Sequence, residues 1–197
     1  MREDIAPARV LDVAVAPPAK LGPLTLRHEL AGNLRITSGR ITVFDPYGSG
    51  PPLERTFPAG TFPVLLTIAR IEKKKGELVA FATIRFTPAA IAEWQPLADT
   101  DGYQYFPVDS ANAAFADADG CKQWNDEFDY EAFEEAMEKR RRVKWSSAEY
   151  DLGDHNVIAF SSGFGDSMYR YYAGLTAAGD IAALTVSFDV IRDEDLA

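Results

Sequence analysis

Cysteine occurs once, at Cys121, and histidine twice, at His28 and His155. A lone cysteine excludes an internal disulfide framework and a clustered-cysteine zinc site. The two histidines stand far apart with no ligand spacing, so neither a structural metal nor a cofactor is expected. Apolar runs are short: none approaches the ~20 residues of a membrane span. The opening Met-Arg-Glu-Asp-Ile has no apolar signal core. The chain therefore reads as soluble and cytoplasmic. Internal repeats and low-complexity tracts are absent too. Cations are the minority charge, with 20 Lys and Arg against 30 Asp and Glu, for a net charge of -10. That sign opposes nucleic-acid phosphate and anionic lipid, so neither nucleic acid nor a membrane is expected as a partner, while a basic protein is favoured.

What is present is an ordinary globular balance, 47% hydrophobic and 25% charged over 197 residues, enough to bury a core without staples. The expected organisation is a single domain over 1–197, with an extended N-terminal arm over 1–20, a β-rich part over 21–86, a helical insertion over 87–145 and a C-terminal β-meander over 156–191. Within the arm, Val10 to Val15 reads as a short strand. Thr25 to Leu30, Asn33 to Thr37 and Arg40 to Asp45 read as short antiparallel strands between glycines. Asp45-Pro-Tyr-Gly-Ser-Gly-Pro-Pro52 is an emphatic loop, because its prolines and glycines remove ladder donors and strand geometry. Phe62 to Ile71 and Leu78 to Phe86 are strong strands flanking a solvated tip, Glu72 to Glu77.

Three helices are expected in the insertion. Thr87-Pro88 opens a short one that Pro96 closes. A second follows Val108-Asp109-Ser110 and stops at Gly120. The third, about Asp126 to Val143, is acidic at its start and basic at its end, as the helix dipole favours, and Tyr130, Phe133 and Met137 form one apolar stripe. The basic run at 139–144 is read as this helix end and not as a nucleic-acid site.

The last quarter holds the only dense polar loop framed by confident strands, Ser161-Ser-Gly-Phe-Gly-Asp-Ser167. Ser161 and Ser162 are the obvious hydroxyls, yet His155 begins the same strand about six residues away, about 20 Å at strand rise, which excludes direct pairing along it. The segment also lacks the nucleophile elbow of α/β-hydrolases. Gly163-Phe-Gly-Asp166 resembles a phosphate loop only weakly, because no lysine-bearing helix follows, and it reads better as a tight turn. Asp45, Asp109, Asp166 and Asp189 each sit at a strand end or turn, where carboxylates bind a divalent cation, act as an acid/base pair or, more commonly, cap a helix or accept turn amides. On strand alternation Asp189 shares a face with Ser187 and Ile191. Tyr169, Tyr171 and Tyr172, with Phe160 and Phe164, line a groove or fill the core.

Phe160-Ser-Ser-Gly-Phe-Gly-Asp-Ser-Met-Tyr169, Tyr172-Ala-Gly174, Gly179-Asp180 and Ser187-Phe-Asp-Val190 resemble the C-terminal signature of the bacterial "domain of unknown function 4241" family. Gly39-Arg-Ile-Thr-Val-Phe-Asp-Pro46 and Pro58-Ala-Gly-Thr-Phe-Pro-Val64 resemble its N-terminal landmarks, and Phe106-Pro-Val-Asp109 its central segment. The similarity spans about residues 35–191. It departs at Ser110-Ala-Asn-Ala-Ala-Phe115, where relatives commonly carry Gly and Cys, and at Phe164 and Ser167, which stand for Trp and Gly. The resemblance implies a bacterial cytoplasmic origin and names no activity.

The fold expected is α+β: a largely antiparallel, curved sheet of about seven to nine strands, with two or three helices inserted before the C-terminal β-meander. The function expected is that of a non-enzymatic binding or interaction protein, for example one that neutralises a basic protein partner. The alternative is a hydrolase-like or small-ligand-binding enzyme using the loop 161–167 with Asp109. The candidate ligand- or partner-binding residues are Asp109, Ser161, Ser162, Asp166 and Tyr169.

Overall fold

The computed structural model describes residues 6–21, 24–71, 76–142 and 144–196. In chain order the elements are α1 (Ala8–Asp12), β1 (Lys20–Leu21), β2 (Leu24–Ile36), β3 (Ile41–Phe44), β4 (Gly60–Ile71), β5 (Glu77–Arg85), β6 (Glu93–Pro96), β7 (Tyr105–Val108), β8 (Asn112–Asp117), α2 (Ala118–Glu127), α3 (Tyr130–Lys139), β9 (Ser147–Leu152), β10 (His155–Ser161), β11 (Ser167–Leu175) and β12 (Ile181–Ser187), closed by a 3-10 turn Asp193–Leu196. The α+β class holds: every strand pair is antiparallel.

The strands divide between two sheets. The larger has eight strands in the order β1-β2-β4-β5-β12-β11-β6, with β7 also on β11, and the smaller has four in the order β3-β8-β10-β9. The C-terminal strands form as expected, but the first of them, β10, pairs with β8 and β9 in the smaller sheet while β11 and β12 pair in the larger. The loop 161–167 therefore carries the chain from one sheet to the other.

Side-chain alternation shows why a second sheet exists. In β10, Ile158 and Phe160 face the main core while Val157 and Ala159 face a second cluster; in β8, Ala113 and Phe115 face the first and Ala114 and Ala116 the second. Both faces are buried, so the small sheet lies between the large sheet and the helices, whose Trp124, Phe133 and Met137 cover it. The layers approach closely at Gly32, where a Cβ would stand 2.7 Å from Ile158 Cδ1. Glu149 Oε2 would be closer still, so any larger residue at this position must displace both side-chain ends.

Several local expectations are corrected. Val10 to Val15 is no strand: Ala8–Asp12 is helical, burying Val10 and Leu11. The two short strands Thr25 to Leu30 and Asn33 to Thr37 are one, β2, with a register shift between Leu30 and Gly32. Thr87 Oγ1 does accept the Ala89 amide at 2.9 Å, but no helix follows, and Pro96 lies in edge strand β6, where a missing donor costs nothing. The helix expected after Ser110 is β8, because burial of Ala113 to Ala116 at 0% exposure overrides alanine's helix propensity. The region 87–145 is thus a mixture of three strands and two helices.

The single helix expected from Asp126 is split. Phe128 turns out of α2 with ψ 120°, and Asp129 caps α3 by accepting the Ala132 amide at 3.0 Å. Phe133 and Met137 are buried while Glu134, Glu138 and Arg141 are exposed, as the stripe predicts, but Tyr130 is 59% exposed. The charged tip Glu72 to Glu77 lies, apart from Gly76 and Glu77, outside the described residues. Among the described residues no helix is long and apolar enough to cross a membrane.

Candidate functional site

Three loops meet beside the small sheet, and aspartates tie them together. Asp45, just past β3, accepts the amides of Asp109 and Ser110 at 2.8 Å each, the Ser110 hydroxyl at 2.7 Å and the Tyr47 amide at 3.0 Å. Asp166 accepts the Ala111 amide at 2.9 Å, and the Ser162 amide reaches the Ala111 carbonyl at 3.0 Å. Ala111 itself is held at φ 57°, a left-handed geometry unusual for a residue with a Cβ. The result is a fixed ridge, Ser110-Ala111, with a cleft on either side.

The first cleft has a volume of about 760 Å³, in the range of small-ligand and peptide sites. Its walls are the loop after β3 (Asp45 to Pro51) and the stretch from Asp99 to Ser110, with Met168 from β11. Aromatic side chains dominate: Phe44, Tyr47, Tyr103, Tyr105 and Phe106. Four aspartates accompany them, Asp45, Asp99, Asp101 and Asp109, and among the described residues no Lys, Arg or His lines the cleft. Asp99 is buried and anchors its own turn, accepting the amides of Asp101 at 3.0 Å and Tyr103 at 2.9 Å. Asp101 and Asp109 are exposed, and neither carboxylate accepts a hydrogen bond among the described residues.

The residues singled out in the sequence are not brought into one site. Asp109 lines the first cleft and Ser161 the second, across the ridge. Ser161 Oγ accepts the Ser146 amide at 2.9 Å. Ser162 is 1% exposed and donates to the Gly165 carbonyl at 3.0 Å. The Tyr169 hydroxyl lies 2.7 Å from the Gly165 carbonyl and 3.0 Å from that of Ser162. Burial, with Asp189 and Asp166 nearby, pushes its pKa up to about 12, so it stays protonated. Ser162, Asp166 and Tyr169 therefore hold the turn 161–167 together. Of the aromatic set, Tyr169, Tyr171, Tyr172 and Phe160 are core, and only Phe164 is exposed. Asp189 does not share a strand face with Ser187 and Ile191: β12 ends at Ser187, and Asp189 sits exposed at φ 53° while Ile191 is buried.

Neither histidine meets a serine. His28 contacts the Ala16 carbonyl at 2.6 Å and Thr67 at 3.2 Å, and His155 lies 3.5 Å from Thr37. Burial pushes the Cys121 thiol pKa up, which disfavours a thiolate. Among the described residues no group of three His, Cys, Asp or Glu is placed to hold a metal.

A family model described as "Protein of unknown function (DUF4241)" matches residues 34–186, most of the chain. The chain belongs to the DUF4241 family. No curated protein and no solved structure matches it. Three of the segments that resemble the family's landmarks build the ridge: Asp45 lies in Gly39 to Pro46, Asp109 ends Phe106 to Asp109, and Asp166 lies in Phe160 to Tyr169. Sequence reasoning missed Tyr47, Asp99, Asp101, Tyr103 and Tyr105. The available signal was the stretch Asp99-Thr-Asp-Gly-Tyr-Gln-Tyr105, in which acids and tyrosines crowd a segment without apolar period.

The turn makes a testable pair. Gly163 has φ +57°, and a Cβ there would stand 2.7 Å from Phe188 Cβ and 3.0 Å from the Phe188 carbonyl. Gly163→Ala is expected to lower stability by about 2–4 kcal/mol from overpacking and strain. Gly165 has φ +112° but would meet only Ala111 Cβ, at an ordinary 3.6 Å, so Gly165→Ala should cost about 1–3 kcal/mol through its backbone alone. Urea unfolding of both variants measures this; a neutral Gly163→Ala would show that the turn is not packed on Phe188.

Proposed function

We propose that the chain is a non-enzymatic interaction protein of the bacterial cytoplasm, acting as one folded unit, that seats a basic segment of a protein partner in the first cleft. The observation that carries this reading is the cleft's composition: carboxylates and aromatic faces, with no cation among the described residues that line it. Tyrosine faces and carboxylates together attract guanidinium and ammonium groups, by about 0.5–2 kcal/mol per aromatic contact. Asp45 and Asp99 shape the walls, which leaves Asp101 and Asp109 to meet the ligand's charge. Tyr47, Tyr103 and Met168 are 36%, 55% and 51% exposed, an apolar patch of the kind that marks interaction sites. The chain's net charge of -10 steers a basic partner toward it. The bacterial origin rests on the family resemblance, the reducing compartment on a free, buried cysteine, and the single unit on strands of both sheets alternating along the chain. Nothing in the turn 161–167 favours a hydrolytic reading, since the Ser161 and Ser162 hydroxyls serve backbone groups.

The test is a titration of isotopically labelled protein with acetylated tetra-arginine and tetra-lysine amides at low salt. Amide shifts should map to Asp101, Tyr103 and Asp109. Asp101→Asn with Asp109→Asn should weaken binding about tenfold, equivalent to about 1.4 kcal/mol, and added salt should weaken the wild type. Absence of binding, or shifts centred on the acidic face of α3, would reject the reading.

A further inference from the structure

The second cleft, about 570 Å³, lies on the other side of the ridge, and its walls include Asn112, Glu134, Arg141, Ser161 and Phe164. Ser110 lines both clefts. A second link joins them: the Tyr47 hydroxyl of the first donates to the Glu134 carboxylate of the second. Six large apolar side chains are exposed among the described residues, and four of them, Tyr47, Tyr103, Met168 and Phe164, line these two clefts. A fifth, Tyr130, packs its ring on Tyr47 at 5.6 Å. Exposed apolar surface is thus gathered along one path across a saddle that Asp45 and Asp166 hold in place.

The charges differ on the two sides. Among the described residues the charges of the first cleft are all carboxylates, whereas the second carries both signs, Glu134 and Glu138 with Arg141 and Lys144, and Arg141 is paired to Glu138 at 2.6 Å. A uniformly basic ligand suits the first cleft and gains nothing from the second. A chain that is basic at one end and apolar at the other suits both.

We infer that the two clefts form one continuous groove for an extended segment of the basic partner, its cationic residues among the aspartates and tyrosines and its adjoining apolar residues against Phe164. This rests on the reading of the first cleft given above. An extended tetrapeptide reaches at most about 14 Å, so it occupies one cleft, and a longer chain is needed to cross the saddle. The gain on crossing is that of a second contact made within one complex.

The experiment uses three acetylated, amidated peptides: Arg-Gly-Arg-Gly, and that sequence extended by Ser-Leu-Ser-Leu at its C-terminus or at its N-terminus. Calorimetry on the full chain should show one of the eight-residue peptides binding at least about tenfold more tightly than the tetrapeptide. Phe164→Ala, checked for folding by its melting curve, should erase that gain and leave tetrapeptide affinity unchanged. If the tetrapeptide binds but neither extension improves it, or if the gain survives in Phe164→Ala, the continuous groove is overturned while the first-cleft reading stands. If the tetrapeptide does not bind, both fall.

Discussion

Replacing Asp117 by alanine is expected to destabilise the protein by about 3–5 kcal/mol, since a buried multiple acceptor leaves several donors unmet when removed. Asp117 is fully buried at 0% exposure. One carboxylate oxygen accepts the Thr37 amide at 2.9 Å, the Ser38 amide at 2.8 Å and the Ser38 hydroxyl at 2.9 Å. The other accepts the Asp119 amide at 3.0 Å and so caps α2. A single side chain thus joins the turn after β2, the end of β8 and the start of the first long helix. Urea unfolding reads the loss. Asp117→Asn, which keeps one carbonyl oxygen as acceptor, should lose less than Asp117→Ala. A loss below about 1 kcal/mol for alanine would mean that water replaces the carboxylate at little cost, and the junction would not be the anchor described.

The second large effect is Phe133→Ala, expected to cost about 3–5 kcal/mol. Phe133 is 0% exposed, and its ring has four aromatic neighbours: Tyr47 at 5.2 Å and Trp124, Phe128 and Tyr150 at 5.9 Å each. Such pairs add to the area term. Because Tyr47 also lines the first cleft, the same substitution should weaken the binding of a basic peptide, although Phe133 does not line the cleft. A stability change within about half a kcal/mol would mean that α3 is an appended arm and not part of the core.

The strong strands of the sequence, Phe62 to Ile71 and Leu78 to Phe86, were legible because length, β-branching and flanking turns agree. Phe133 and Met137 were legible from helical spacing. What escaped is physically coherent. β8 is alanine-rich, with Ala113, Ala114 and Ala116 beside Phe115, and those small side chains let a strand pass between two packed layers although locally they look like helix. The break at Phe128-Asp129 turns on a capping side chain set between two helical runs of similar composition. The ridge was half visible: Asp45, Asp109 and Asp166 were each noted at a turn, but their meeting depends on contacts 55 and 64 residues apart in the chain. The first cleft was invisible for the same reason, since its two walls come from distant loops that have no periodicity to read.

The position of β12 has a consequence during synthesis. Residues 181–187 occupy the interior of the large sheet, paired on one side with β5 and on the other with β11. Until the ribosome has delivered them, β5 and β11 each present an open hydrogen-bonding edge, and the apolar faces beneath are uncovered. Closure of the large sheet therefore waits for β12, the last of its strands to be made. The nascent chain should depend on holding chaperones more than a protein of similar size whose strands pair in the order they emerge.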